Sequence, residues 1–140
     1  MTARKPEALL WTRIRTRMRG RVRAERIENL VGTGRPDVDT LVAGSFVPIE
    51  LKASPRWPAR QTTAVLGERK GLSLAQRNWH LDWHRWGGRS LVVVEVAGEV
   101  FTFNGATADH INHYNIAQFR SAAMVTGIDA LVDILERLSR

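Results

Sequence analysis

The sequence contains no cysteine, which excludes a disulfide framework, a thiolate zinc site and a cysteine nucleophile. It has no apolar run that approaches the length of a membrane-spanning helix, and charges recur every few positions near its start. These absences predict a cytoplasmic protein with no membrane partner. The 140 residues, 44% of them apolar and 25% charged, are typical of one globular domain over residues 1–140.

Acidic residues are scarce in the first 26 positions, where Glu7 and Glu25 stand against nine arginines and lysines. The rest of the chain is balanced in charge, so the whole formal charge of +7 comes from residues 1–26. A basic segment on a neutral body indicates a polyanion partner, and the guanidinium group pairs well with phosphate oxygens. The alternative is a solvated helix face. The predicted DNA-binding arginines of this segment are Arg13, Arg15, Arg17, Arg19, Arg21 and Arg23.

Hydrophobic spacing and turn residues predict alternating helices and strands. The first half is expected to form a helix over 7–19, a strand over 22–31, and a hairpin of Asp37–Ala43 with Phe46–Lys52 across Gly44-Ser45. A basic loop over 53–72 should follow. The second half is expected to form a helix from Ser73 to Trp86, strands Ser90–Val96 and Val100–Phe103, and a helix over Ile128–Leu138. Residues 106–127 give mixed signals. The order predicts an α/β domain with a mixed central sheet flanked by helices.

Two short motifs lie on the predicted hairpin. Pro36-Asp37 precedes its first strand, and Glu50-Leu51-Lys52 ends its second. Alternate residues of a strand share a face, so Glu50 and Lys52 project together while Leu51 points into the core. If Asp37 lies beside Glu50, the two carboxylates suit a hard divalent cation, with an ammonium group next to it. This combination is suited to phosphodiester hydrolysis.

The words Gly34-Arg35-Pro36-Asp37 and Pro48-Ile49-Glu50-Leu51-Lys52 resemble the PD-(D/E)XK nuclease superfamily, within it the VRR-NUC-type, Holliday-junction-resolvase-like branch found in phage and prophage. The resemblance implies a restriction-endonuclease-like core, a DNA substrate, Mg²⁺ or Mn²⁺, a two-fold homodimer, and a bacterial or phage-infected host cell. It also implies that Asp37, Glu50 and the backbone carbonyl of Leu51 bind the metal. Lys52 would then orient the attacking water or stabilise the developing oxyanion, the alternative being a structural salt bridge to Glu50.

Three further residues are candidates by the same resemblance. Glu7 stands where many relatives place an acid that supports the metal, although an acid there equally stabilises a helix N-terminus. Glu28 lies in a stretch that resembles the one preceding Pro-Asp in phage relatives. Gln76 matches the glutamine that follows the motif lysine in this branch and is expected to hold a water or a phosphate, the alternative being a surface cap.

The loop over 53–72 adds a second set of predicted DNA contacts, with Trp57 as a base-stacking candidate among basic residues. The basic members are Arg56, Arg60, Arg69 and Lys70. The stripe of Trp79, Trp83 and Trp86 is interpreted as core packing because of its helical spacing. His80 and His84 have a spacing that can bind zinc, but without a third nearby ligand they are expected to face solvent.

The residues therefore predict a metal-dependent endonuclease that cuts branched or junction DNA in recombination or repair. The first alternative is a nuclease for flaps, nicks or ends. The second is a DNA-binding module with an inactive site, and an intact set of Asp37, Glu50 and Lys52 argues against it. A basic phage assembly protein would explain the charge but not the two acids and the lysine.

Overall fold

The computed structural model describes residues 5–27 and 33–138, and within them the chain folds as a single α/β domain around a six-stranded mixed sheet. The strands are β1 (Arg23–Arg26), β2 (Val38–Val42), β3 (Ser45–Ser54), β4 (Leu91–Val96), β5 (Glu99–Asn104) and β6 (Val125–Thr126). The helices are α1 (Lys5–Met18), α2 (Gly67–Lys70), α3 (Leu74–Arg85), α4 (Ala108–Ile111), α5 (Ile116–Ala122) and α6 (Ile128–Leu138). No helix in the described ranges is long and apolar enough to cross a membrane.

The strands lie in the sheet in their order along the chain, and each neighbouring pair is antiparallel except β3 and β4. The parallel pair is joined by a crossover that contains α3, because parallel neighbours need a long connection. Leu51 lies in register with Val93, so Glu50 and Lys52 lie beside Val92 and Val94. The crossover thereby brings α3 over the sheet face on which the predicted site residues project.

Two apolar clusters cover the two faces of the sheet. On one face, side chains of α1 and α6 pack on the sheet, with Ile14 and Leu131 buried against Leu51 and Val93. On the other face, the buried side chains include Leu72, Ile111 and Phe119, which pack on Val92, Val94, Phe101 and Phe103. Alternation along β3 and β4 explains the division, since successive strand residues point to opposite faces.

The sequence prediction was accurate for most long elements. The first helix, the hairpin, the helix after Ser73, the next two strands and the helix over Ile128–Leu138 are all present. The hairpin turn was misplaced by one residue: Val42 pairs with Ser45, so Ala43 and Gly44 form the turn with φ values of 49° and 83°. Two positive φ values match the backbone twist of a two-residue hairpin.

The predicted loop over 53–72 is a partial error. β3 continues to Ser54, and one helical turn, α2, occupies Gly67–Lys70. Leu72 is fully buried near the end of this segment. The buried Asn112 side chain accepts from the Leu72 backbone N–H and donates to its carbonyl, both at 2.8 Å, and so holds the segment before α3 in place.

Candidate active site

Asp37 and Glu50 meet where β2 begins beside β3. At the start of β2 the first residue paired with β3 is Val38, which lies opposite Ile49. Asp37 precedes Val38 and so lies just outside the hydrogen-bonded part of the strand pair. Its carboxylate accepts a hydrogen bond of 2.9 Å from the backbone N–H of Leu51, which takes the place of a strand partner. Both N–H and C=O of a strand residue point towards the same neighbour, so the Leu51 carbonyl also faces the Asp37 side.

Glycine at position 34 allows the Asp37 loop to lie against α3. Its φ is +72°, and a Cβ atom there would lie 2.2 Å from the backbone oxygen of Ala75. No other residue type fits both the conformation and the contact. Two residues further along, Pro36 is buried. One guanidinium nitrogen of Arg35 donates to both carboxylate oxygens of Asp39, at 2.9 and 2.8 Å. The loop is therefore held on both sides of Asp37.

Glu50 is the buried acid of the site, with 1% of its surface exposed. One carboxylate oxygen accepts a hydrogen bond of 3.2 Å from the Gln76 side chain, and the other has no hydrogen-bond partner within the described ranges. Burial raises the pKa of Glu50 well above its ordinary value, the neighbouring Asp37 carboxylate raises it further, and the charge of Lys52 opposes the rise. A buried carboxyl group with an unsatisfied oxygen lowers the stability of the folded protein. Such a group with a shifted pKa is typical of a functional site.

Lys52 lies two residues from Glu50 on the same face of β3 and is partly exposed. It forms no ion pair with any carboxylate in the described part of the chain, although its charge lowers the pKa of Glu50. The alternative role as a structural partner of Glu50 is therefore not the arrangement found. The ammonium group is left available to a ligand.

Gln76 has two contacts at the start of α3. Its side-chain oxygen accepts from the Ser73 backbone N–H at 2.9 Å, while the Ser73 hydroxyl accepts from the Gln76 backbone N–H at 3.2 Å. This reciprocal capping box fixes the first turn of the helix. The Gln76 side-chain nitrogen remains to donate to Glu50. Gln76 is thus a helix cap, which was the predicted alternative, and also a partner of the buried acid, while its binding of a water or a phosphate stays a prediction.

The third predicted carboxylate is less close. Glu7 is partly buried in the first turn of α1, and its charge adds to the rise in the pKa of Glu50. Yet the described residues hold no group of three or more histidine, aspartate or glutamate side chains that could hold a metal. Glu28 lies outside the described residues. Asp37 and Glu50 therefore form the core of the site, with Glu7 at its margin.

The donor set fits a small divalent cation. Mg²⁺ is commonly held by one or two carboxylates and keeps several waters. Two carboxylates meet here, one with an oxygen that lacks a partner, and the Leu51 carbonyl faces the same side. These oxygens could hold the cation as the resemblance implies, without a third protein carboxylate.

The predicted basic DNA contacts of the loop are all exposed. They are Arg56, Arg60, Arg69 and Lys70, and Lys70 approaches the Ser54 hydroxyl at 3.5 Å. Trp57 packs edge-on against Phe101 and Phe119, and the Arg120 guanidinium lies 4.4 Å above its ring. One face of Trp57 is thus already covered, and base stacking there would require Arg120 to move.

The histidine prediction was wrong. His80 is fully buried and His84 is partly buried, and both bind the Ser90 hydroxyl, at 2.6 and 2.9 Å. Burial lowers the pKa of His80 to about 4. Gly105 packs so closely that a Cβ atom would lie 2.0 Å from the Ser90 hydroxyl oxygen. This polar cluster joins α3 to β4 and was missed because its partner residues are distant in sequence.

The tryptophan stripe is only partly core. Trp79 and Trp83 stack on each other with ring centres 5.0 Å apart, and the edge of Phe46 meets Trp83 at 5.9 Å. Trp86, by contrast, is 80% exposed. The predicted core role was therefore wrong for Trp86 and overstated for Trp79 and Trp83, which are half-buried.

No protein-family model matches the sequence, and neither does any curated protein. Among solved structures, the fold is similar to that of Hjc from Archaeoglobus fulgidus, described as a Holliday junction resolvase from an archaeal hyperthermophile. The TM-score is 0.59 at 12% identity, and the match covers 91% of this chain and 98% of that one. The predicted fold class, a small α/β domain with a restriction-endonuclease-like mixed sheet, is thereby confirmed.

Proposed function

We propose that this protein is a divalent-metal-dependent DNA endonuclease that cuts branched DNA, with the four-way junction as its preferred substrate. The observation that carries the proposal is the meeting of Asp37 with the buried Glu50, beside Lys52, which forms no ion pair within the described ranges. The fold of Hjc, a protein described as a Holliday junction resolvase, supports the choice of substrate. The VRR-NUC-type and phage assignments stay predictions from the sequence motifs.

The roles of the residues follow from their positions. Asp37, Glu50 and the Leu51 carbonyl would hold Mg²⁺ or Mn²⁺, which supplies an activated water and neutralises charge on the scissile phosphate. Gln76 fixes the orientation of the Glu50 carboxylate by its hydrogen bond. Lys52 donates to the phosphate oxygen on which negative charge develops, or to the attacking water. Glu7 adds negative charge at the margin of the site.

A homodimer belongs to the same proposal. A four-way junction has two symmetry-related strands to cut, and a two-fold dimer would place one Asp37/Glu50 site on each. The dimer predicts paired, symmetric cuts and a molecular mass in solution twice the 15.8 kDa of the chain.

The direct test is cleavage of a matched panel of labelled DNAs in Mg²⁺: four-way junction, flap, nicked duplex, linear duplex and single strand. Paired cuts in the four-way junction, with slower cutting of the other four, are expected. Preference for the flap, the nick or the end would replace the junction assignment with the first alternative. Mn²⁺ should also support cutting and Ca²⁺ only poorly, because its looser coordination suits a two-carboxylate site badly.

A further inference from the structure

The arginines of the N-terminal segment fall into two rows with different surroundings. Residues four apart lie on the same side of a helix, so α1 separates Arg13 and Arg17 from Arg15 and Arg19. The turn after α1 extends the first set to Arg21, and β1 extends the second to Arg23. We call Arg13, Arg17 and Arg21 the paired row, and Arg15, Arg19 and Arg23 the open row.

The paired row is neutralised within the domain. Arg13 forms an ion pair with Glu95 of β4, and Arg17 forms one with Asp129 at the start of α6. Arg21 binds both Glu136 and Asp133, and these hydrogen bonds raise its pKa. Three cations thus face four acids. This row attaches α1 to α6 and to the sheet, and its charge is offset by these acids at short distance within the domain.

The open row lacks such partners. Arg15 and Arg19 are exposed and form neither a hydrogen bond nor an ion pair with any residue in the described ranges. The nearest acid to Arg23 is Glu25, at 3.7 Å, and both side chains are more than half exposed. A contact of this kind contributes little energy and is readily exchanged. These three side chains therefore carry positive charge that no close ion pair within the described ranges neutralises.

The open row also surrounds a surface hollow. Arg15, Arg19 and Arg23 line a depression of about 310 Å³, whose remaining lining residues are Met18, Gly20, Val22 and Ala24. No acidic residue is among the lining side chains. Three guanidinium groups around an acid-free hollow are suited to phosphate oxygens, which they can meet in pairs.

The hollow lies within reach of a DNA that occupies the candidate active site. α1 begins near the site, because the charge of Glu7 acts on Glu50. Arg15 and Arg19 follow Glu7 by eight and twelve residues, which corresponds to about 12 and 18 Å of helix. In the sheet, Arg23 pairs with Leu41 of the neighbouring strand. Leu41 follows Asp37 by four residues, which corresponds to about 13 Å along the strand. These separations are about half of one turn of duplex DNA, roughly 34 Å.

We propose that the open row is a binding site for the sugar-phosphate backbone of one DNA arm, and that the paired row takes no part in DNA binding. The inference rests on the proposed function for its partner and goes beyond it by assigning the contact to three of the six arginines. Such a contact positions the duplex without reading its bases.

Two matched triple variants test the assignment: R15Q/R19Q/R23Q and R13Q/R17Q/R21Q. Each removes three positive charges from the same segment. Binding to a labelled linear duplex and to a labelled four-way junction would be measured in chelator at several salt concentrations. Each lost phosphate contact flattens the slope of log affinity against log salt by about 0.9. The open-row variant should therefore flatten it by about 2 to 3 on both DNAs, while the paired-row variant keeps the wild-type slope but melts at a lower temperature.

The outcomes separate this inference from the proposed function. A wild-type slope in the open-row variant, or equal flattening in both variants, would overturn the inference while leaving metal-dependent cleavage intact. A wild-type protein that binds DNA through the open row but cuts none of the panel in Mg²⁺ would overturn the proposed function and support the inference.

Discussion

The side-chain amide of Gln76 donates a hydrogen bond of 3.2 Å to the Glu50 carboxylate, joining the first turn of α3 to the middle of β3. The same glutamine closes the capping box with Ser73. The start of the helix and the orientation of the buried acid are therefore set by one side chain. A change of Gln76 itself is therefore transmitted to Glu50 through a direct contact as well as through the stability of the helix.

Gln76→Ala and Ser73→Ala form a matched pair. Each removes half of the capping box and should cost about 1 kcal/mol of unfolding free energy. Only Gln76→Ala also removes the hydrogen bond to Glu50, so its cleavage rate should fall by about ten-fold, while Ser73→Ala stays within about two-fold. Chemical denaturation and single-turnover cleavage measure the two effects. Equal rates in the two variants would show that Gln76 is only a cap.

Lys52→Ala should lower the cleavage rate by about two to three powers of ten, the effect of losing one electrostatic donor at a developing charge. Affinity for DNA should change much less, because Lys52 is one cation among many. Single-turnover kinetics at saturating protein separates the two quantities. Lys70→Ala is a suitable control, since Lys70 is exposed and hydrogen-bonds at 3.5 Å to Ser54 rather than to either carboxylate. A rate loss in Lys70→Ala as large as in Lys52→Ala would contradict the role given to Lys52.

Gly34→Ala should be strongly destabilising, by about 2 to 4 kcal/mol, because it combines a positive φ with a backbone clash. Gly20→Ala is the control: its φ is +81°, but no atom lies within 4 Å of the added methyl group. It should cost only about 1 kcal/mol. At a temperature where both variants remain folded, cleavage should fall in Gly34→Ala alone, since its loop carries Asp37. Normal cleavage in folded Gly34→Ala would show that the close approach to Ala75 is not needed.

Stability should decline in mild acid because of His80. Its pKa in the folded protein is lowered to about 4, below the ordinary value of 6.5. The unfolded chain therefore takes up a proton that the folded chain does not, and stability is lost as the pH falls from about 6.5 towards 4. His80 alone contributes a loss of about 3 kcal/mol over this range, and the raised pKa of Glu50 acts in the opposite direction. His84, whose pKa is also lowered by burial, adds in the same direction as His80.

Urea denaturation at several pH values measures this dependence in wild type, His80→Gln and His110→Gln. His80→Gln should flatten the fall in stability between pH 6.5 and 4, while His110→Gln, at an exposed position, should follow wild type. A curve for His80→Gln that runs parallel to wild type would show that His80 is not the residue responsible.

The elements that sequence reasoning found are those with strong local signals. The signals for these elements, such as the Ser73 cap, Gly20 after α1 and the apolar repeat of Ile128–Leu138, are encoded within a few residues. Residues 106–127 form a helix of four residues, one of seven and a strand of two, too short for a periodic pattern to emerge. These pieces are held by contacts distant in sequence, such as the ring of Phe119 against Phe101 and Phe103.

The sequence predicted some residues of the site and their neighbours correctly and others not. The pairing of Asp37 with Glu50 follows from strand alternation and a short hairpin, both readable from the sequence. The buried face of α3 was not readable, because its buried residue is His80 rather than a tryptophan. His80 is the buried residue because it contacts Ser90 and Gly105, which lie 10 and 25 positions further along the chain and are brought to the helix by the sheet. The division of the arginines likewise depends on acids more than 80 positions away.

The central claim is that Asp37 and Glu50 form a metal-dependent catalytic site, and the most direct measurement is single-turnover cleavage of a four-way junction by Asp37→Asn and Glu50→Gln in Mg²⁺. Asp82→Asn, which alters an exposed acid of α3, is the control. Both site variants should lose about 10³-fold or more in rate, while junction affinity in chelator stays equal or rises because a carboxylate that repels phosphate is gone. The control should cut like wild type. Cleavage within about ten-fold of wild type in both site variants, or full wild-type cleavage in chelator, would contradict the account.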